Sequence, residues 1–104
     1  ANCSPEICDW IDTYESIFGN SPNIGSAYGY MYMDITARAL EIAGRDLTTD
    51  SFLNALESIN DYKIPFGDTT LSWSPEKHLG ANVAYLFEVQ NGTFIQTDNK
   101  EYTY

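Results

Sequence analysis

The chain has 104 residues, which is enough for one domain with one hydrophobic core. Hydrophobic residues make up 43% and aromatic residues 14%, a composition too apolar for a disordered tail. The formal net charge of −10 disfavours nucleic acids and anionic membranes as partners, because both are bound by clustered cations. No run of about 18 apolar residues occurs, so direct insertion into a membrane is not expected.

The N-terminus carries two features of its own. The chain begins with Ala rather than Met and shows no signal peptide, as expected of a processed protein or a piece of a longer one. Cys3 and Cys8 are the only cysteines, and their C-x4-C spacing differs from that of zinc or thioredoxin-like sites. In an oxidising compartment they would form a local disulfide, and otherwise they would remain two free thiols. The sequence leaves both alternatives open.

The first predicted helix covers residues 5–18. Ser4 supplies a capping hydroxyl, Pro5 takes the first helical position, and Gly19 offers a left-handed stop. The apolar residues recur at helical spacing and form one stripe, which contains Ile7, Trp10, Ile11, Tyr14, Ile17 and Phe18.

A second, longer helix is predicted from about Ser26 to Gly44, after a loop from Asn20 to Gly25. Its polar residues form one narrow stripe with two acid-before-base pairs at i,i+4, namely Asp34/Arg38 and Glu41/Arg45. The remaining sides are apolar. A helix of this kind needs partners on several sides, more than a chain of 104 residues supplies. The pattern therefore predicts part of a larger protein.

The second half of the chain predicts one more helix and then strands. Thr48 or Thr49 is expected to cap a helix that ends before the sequence Ile64-Pro65-Phe66-Gly67. Short strands are expected over 69–73, 82–90 and 93–97. Asn91-Gly92 fits a two-residue type I′ hairpin turn between the last two. The polar tail, residues 98–104, is expected to fray.

No motif for catalysis or metal binding is present. His78 is the only histidine, and it has no His or Cys at ligand spacing and no nucleophile motif nearby. We therefore expect that the chain binds no metal and no cofactor and is not an enzyme. Asn91-Gly92-Thr93 matches a glycosylation sequon, but the hairpin turn already accounts for these residues.

Five segments follow one another in a characteristic order and spacing. They are Tyr14–Gly19, Tyr30–Gly44 with its ending Ala39-Leu40-Glu41-Ile42-Ala43-Gly44, Phe52–Ser58, Ile64–Gly67 followed by Thr70, Leu71 and Trp73, and Pro75–Gly80 followed by Tyr85–Phe94. The order of these segments resembles that in type I periplasmic solute-binding proteins of ABC transporters. Within that family, the sequence is most similar to the proteins that bind branched-chain amino acids and amides. Two departures are Met31 and Asp68, which stand where that family often has Asp and Pro.

The resemblance implies an α/β fold with two lobes that close around a ligand by a hinge motion. This chain would be a C-terminal fragment with three helices, a short strand and a β-hairpin. Residues 1–73 would belong to the first lobe, residues 74–81 to a crossing between the lobes, and residues 82–104 to the hairpin of the second lobe and the tail.

The resemblance also implies capture of a small polar solute, amino acid or amide-like, for a membrane ABC permease in a periplasmic or extracellular setting. The segment that enters the long helix would lie nearest the cleft, so Ser26, Tyr28 and Tyr30 are the candidate ligand-binding residues. Ordinary packing is the alternative explanation for the two tyrosines.

Two other functions compete with solute binding. The charge of −10 also suits a free-standing acidic protein-interaction module, including a mimic of DNA. A small hydrolase is the third hypothesis, although no nucleophile, base or oxyanion signature supports it. Because its long helix is apolar on most sides, the isolated chain is expected to self-associate.

Overall fold

The chain folds into three helices followed by three pairs of short antiparallel strands. The computed structural model describes residues 3–67 and 69–103. In chain order the elements are α1 Pro5–Phe18, α2 Ile24–Ala43, α3 Thr49–Glu57, β1 Tyr62–Lys63, β2 Thr70–Leu71, β3 Val83–Ala84, β4 Phe87–Gln90, β5 Thr93–Gln96 and β6 Tyr102–Thr103. The predicted α/β class is therefore confirmed.

Helix α1 begins and ends at the predicted residues. The Ser4 hydroxyl accepts a hydrogen bond from the Ile7 N–H at 3.4 Å. Gly19, with φ of 72°, donates its N–H to the Glu15 carbonyl at 2.8 Å. Cys3 and Cys8 are joined by a disulfide, with their Cα atoms 5.7 Å apart. The bridge closes a small ring around the N-terminal cap of α1.

Reduction of this disulfide is expected to loosen the first turns of α1 and leave α2 and α3 folded. The chain-entropy contribution of so short a loop is about 2 kcal/mol, and the constraint acts on one helix end. Amide hydrogen exchange over residues 5–12, with and without reductant, measures the effect. The double variant Cys3→Ser/Cys8→Ser should exchange as the reduced chain does. Equal exchange in the oxidised and reduced forms would show that the bridge does not support α1.

Helix α2 begins two residues earlier than predicted, because Asn23 provides a cap. Asn23 Oδ1 accepts a hydrogen bond from the Ser26 N–H at 3.1 Å, and Ser26 Oγ accepts one from the Asn23 N–H at 3.3 Å. This reciprocal capping box satisfies two backbone donors at the helix start. The end at Gly44 is as predicted.

The charged stripe of α2 is formed in part. Arg38 Nε lies 2.9 Å from Asp34 Oδ2, as its i,i+4 spacing predicts. The predicted pair between Glu41 and Arg45 is absent from the described residues. Helix α2 ends at Ala43, so Arg45 no longer follows the helical path that would place it beside Glu41.

The hydrophobic core lies between α2, α3 and the β1–β2 pair. Thr48, rather than Thr49, caps α3 through a hydrogen bond from the Ser51 N–H to its hydroxyl at 3.0 Å. Ala39 is completely buried, and its small side chain lets α2 and α3 approach closely. The buried residues are Met31, Ile35, Ala39, Ala55, Ile59, Tyr62 and Leu71. On α2 these residues fall at i, i+4 and i+8, so a single stripe of the helix is buried.

The strand pairing departs from the sequence prediction in three places. β1, which the sequence did not predict, pairs with β2 so that Tyr62 lies opposite Leu71. A strand of two residues is too short to be recognised from an alternating pattern of apolar residues. The long strand predicted over 82–90 is divided, because its first part pairs with β6 and its last part with β5. The tail is therefore paired at β6 rather than frayed. The type I′ turn is confirmed by φ of 51° at Asn91 and 78° at Gly92.

Much apolar surface of α2 remains uncovered, as its composition predicts. Tyr32 is 60% exposed and Met33 is 66% exposed, although both lie in the middle of the helix. The radius of gyration is 16.7 Å, whereas a compact domain of this length has about 13 Å. The chain by itself is therefore more open than an ordinary domain. None of the described helices is both long enough and apolar enough to span a membrane.

Candidate functional site

A groove lies between α1, α2 and the segment that follows β1. Its volume is about 680 Å³, within the range of small-molecule sites. Trp10, Tyr30 and Phe66 form an aromatic wall, and Asp34, Arg38, Tyr62 and Lys63 are among the polar residues of the lining. We call this cavity the aromatic groove.

The aromatic wall joins α1 to the rest of the chain. The ring of Trp10 meets that of Phe66 edge-on, with centroids 4.8 Å apart, and lies 5.7 Å from that of Tyr30. Tyr30 and Phe66 also meet edge-on at 6.0 Å. Edge-to-face pairs of this kind contribute about 0.5–1.5 kcal/mol each beyond their buried area. A second connection is a 3.0 Å hydrogen bond from Ser26 Oγ to Tyr14 Oη.

A polar cluster at the other side of the groove centres on Asp34. Its Oδ2 atom accepts hydrogen bonds from Tyr62 Oη at 2.8 Å and from Arg38 Nε at 2.9 Å. The Arg38 guanidinium also lies 5.1 Å from the centroid of the Tyr62 ring. Burial, followed by the hydrogen bond and the charge of Asp34, raises the pKa of Tyr62 to about 12. The cluster fixes β1 to the middle of α2.

Stability is expected to fall as the pH rises from 10 to 12. Tyr62 ordinarily has a pKa of 10, so in this window the folded state holds a proton that the unfolded state has lost. The raised pKa of Tyr62 adds about 2–3 kcal/mol to the free energy of unfolding, and this stabilisation is fully present below pH 10. Denaturant titrations at several pH values, for the native chain and Tyr62→Phe, measure it.

Tyr62→Phe should show a shallower loss of stability across this window. Tyr32→Phe is the matched control, because the Tyr32 ring is exposed on the same helix as Asp34 and is not part of the cluster around Asp34. The interpretation fails if Tyr62→Phe and Tyr32→Phe lose stability equally as the pH rises.

The three predicted ligand-binding residues do not share one face of α2. Ser26 and Tyr30 are one helical turn apart on the side that meets α1. Tyr28 lies between them in sequence and points away, where its ring stacks on that of Tyr32 at 6.1 Å. A ligand in the aromatic groove would meet Tyr30, while the Ser26 hydroxyl is already engaged with Asn23 and Tyr14. Their role in ligand binding stays a prediction.

Sequence reasoning did not select Arg38, Tyr62 or Phe66 as site residues. Of these three residues, only Arg38 was part of a recognisable sequence pattern, namely its i,i+4 pair with Asp34. Tyr62 lies in a two-residue strand, and Phe66 lies in a loop after Pro65, so neither belongs to a periodic segment. Their position in the groove follows from the β1–β2 pairing, which the sequence did not predict.

His78 takes part in a structural contact. Its Nε2 atom lies 2.8 Å from Glu57 Oε1, which connects the loop of residues 74–80 to the end of α3. The Trp73 N–H donates to the Ile59 carbonyl at 3.1 Å, so Trp73 is held against the core. Within residues 3–67 and 69–103, no three His, Cys, Asp or Glu side chains form a group that could hold a metal ion.

Comparison with known protein families matches residues 2–93 to the family described as Periplasmic binding protein. The chain belongs to the periplasmic binding protein family. The match includes all three helices, the Asn91-Gly92 turn and the whole aromatic groove, which confirms the resemblance seen in the sequence. Members of the periplasmic binding protein family are binding proteins rather than enzymes, and the family indicates a solute-binding role outside the cytoplasm. Neither a curated protein nor a solved structure matches the chain.

Proposed function

We propose that the chain is the C-terminal part of an extracytoplasmic solute-binding protein that captures a small polar solute, amino acid or amide-like, for a membrane ABC importer. The observation that carries the proposal is the family match over residues 2–93. The disulfide between Cys3 and Cys8 agrees with an oxidising compartment such as the periplasm or the cell exterior.

We assign residues 1–73 to the first lobe, residues 74–81 to a crossing between lobes, and residues 82–104 to the second lobe and tail. Two observations support this division. All seven core residues fall between Met31 and Leu71. The pairs β3–β6 and β4–β5 lie after that core and form separate two-stranded sheets. Ala1, Asn2, Asp68 and Tyr104 lie outside the described residues.

The exposed sides of α2 support the assignment to a larger protein. A surface helix of a complete domain buries its apolar residues, whereas α2 exposes Tyr28, Tyr32 and Met33. We propose that other parts of the receptor cover these residues. In their absence the chain would self-associate, which sedimentation velocity at increasing concentration would measure. A monomer at every concentration would contradict the self-association.

Ser26 and Tyr30 remain our candidates for solute contact on the α1-facing side of α2, and Tyr28 is a candidate on the opposite side. Tyr30 has the better support, because its ring forms part of a cavity large enough for a small solute. The groove also holds Arg38 and Lys63, two of the five Lys and Arg residues of a strongly acidic chain.

Calorimetric titration with a panel of amino acids and amides tests the proposed function. The complete protein encoded by the reading frame should bind one of them with micromolar-range affinity, and this chain alone should release no binding heat. Tyr30→Ala in the complete protein should weaken binding if Tyr30 contacts the solute, with Tyr85→Ala as a control outside the groove. Absence of binding by the complete protein to the whole panel would reject an amino acid or amide as the solute.

The alternative is a free-standing acidic protein-interaction module. The net charge of −10 favours it, since a strongly acidic surface suits a cationic partner. Binding to a basic protein such as a histone mixture, which weakens steeply between low and physiological salt, would support this alternative.

A further inference from the structure

Among the described elements, the β4–β5 hairpin packs against no other helix or strand. Its two strands pair only with each other, with Gln90 opposite Thr93 at the turn. All eight strand residues are exposed to solvent. The connection at its base is made by Thr97, whose N–H and hydroxyl both donate to the Leu86 carbonyl. An isolated two-stranded hairpin is marginally stable in water, so this hairpin should open frequently.

The turn of this hairpin carries a reactive dipeptide. Asn91 and Gly92 are both exposed, and no acceptor among the described residues takes the Gly92 N–H. Glycine has no side chain to hinder the approach of its nitrogen to the preceding side chain. We propose that Asn91 is a site of spontaneous deamidation, at which this chain acquires aspartate and isoaspartate.

The reaction needs only water. The Gly92 backbone nitrogen loses its proton and attacks Asn91 Cγ, so that a new C–N bond closes a five-membered succinimide. The bond from Cγ to the amide nitrogen breaks, and that nitrogen leaves as ammonia with the transferred proton. Water then adds to either carbonyl of the ring and opens it. Addition at Cγ gives aspartate, and addition at the backbone carbonyl gives isoaspartate.

The folded turn slows this reaction, and frequent opening of the hairpin allows it to proceed. Asn91 and Gly92 are held at φ of 51° and 78° in the type I′ turn, so the attack requires the turn to rearrange. Opening of the hairpin breaks no contact with the core, because its strands pair with no other element of the described chain. The rate in the native chain should therefore approach that of an unfolded chain.

Deamidation would alter both charge and shape. Each event adds one negative charge, which takes the net charge from −10 to −11. Isoaspartate also inserts an extra methylene into the backbone, and a two-residue turn then no longer fits between Gln90 and Thr93. The modified chain should have a hairpin that no longer closes in this register.

Peptide mapping by mass spectrometry during incubation at neutral pH tests the proposal in the full chain. Asn82 and Asn99 serve as internal controls, because both are exposed and lie outside the helices. Asn91 should convert about ten times faster than either, since only Asn91 precedes a glycine. Conversion of Asn91 at the same rate as Asn82 and Asn99 would overturn the proposal.

Two further comparisons separate the chemistry from the stability of the hairpin. Gly92→Ala should slow conversion about tenfold through its added side chain, although alanine at a positive φ strains the turn and favours opening. In urea the native sequence should convert within about threefold of its rate in buffer, as expected for a hairpin of marginal stability. A native rate about a hundredfold below the urea rate would mean that the turn protects Asn91, and a Gly92→Ala rate equal to the native one would exclude the succinimide route.

Discussion

Replacement of Ile35 by alanine is expected to lower the free energy of unfolding by about 3 kcal/mol. Ile35 is 7% exposed and stands at the centre of the buried stripe of α2, between Met31 and Ala39. The lost side chain leaves a cavity where α2 and α3 meet. Urea denaturation followed by circular dichroism measures the change.

The matched control for this substitution is Ile42→Ala. Ile42 belongs to the same helix but is 56% exposed, and alanine has the higher helix propensity. We therefore expect Ile42→Ala to change stability by less than about 0.5 kcal/mol. If the two variants are equally destabilised, the buried stripe of α2 is not the side that the structure assigns.

Replacement of Trp10 by alanine is expected to release α1 from the body of the chain while α2 and α3 stay folded. The Trp10 ring makes two of the three aromatic contacts in the groove. Hydrogen bonds from Ser26 to Tyr14 and from Ser21 to Glu15 also join α1 to the segment that follows it. Truncation of a packed tryptophan costs about 3–5 kcal/mol when it is fully buried, and Trp10 is partly exposed, so the lower end applies.

Amide hydrogen exchange distinguishes this release from general unfolding. In Trp10→Ala, residues 5–18 should lose protection while residues 31–39 keep it. Phe18→Ala is the control, because Phe18 belongs to the same helix and is 61% exposed. Loss of protection throughout α2 in Trp10→Ala would contradict a separate attachment of α1.

The helices could be predicted from sequence because their signals are local. The Ser4 cap, the Gly19 stop and the i,i+4 pair of Asp34 and Arg38 each depend on residues within a few positions of one another. The type I′ turn at Asn91-Gly92 is equally local. The start of α2 was misjudged by two residues, because Asn23 acts as a cap two positions before the apolar run begins.

The strands and the groove depend on contacts distant in sequence, which periodicity does not report. β1 is defined by its pairing with β2, and β3 by its pairing with β6 near the end of the chain. The contact of Tyr62 with Asp34 joins residues 28 positions apart. The aromatic groove therefore had no signature in the sequence, although Trp10 was correctly placed on the apolar stripe of α1.

The apolar surface of α2 connects the fold to the proposed function. One stripe of this helix is buried against α3 and the β1–β2 pair, and much of its remaining apolar surface faces solvent. We therefore expect other parts of the proposed receptor to cover this surface. The proposal of a larger receptor depends on this surface together with the family match.

The two methionines of the chain provide the most direct test of that proposal. Met33 is 66% exposed and Met31 is 7% exposed, on the same helix two residues apart. Peroxide oxidises accessible methionine to the sulfoxide, and mass spectrometry gives the rate at each position. In the dilute isolated chain Met33 should oxidise much faster than Met31. In the complete protein encoded by the reading frame both should be slow, whereas a Met33 that oxidises equally fast in both would contradict the account.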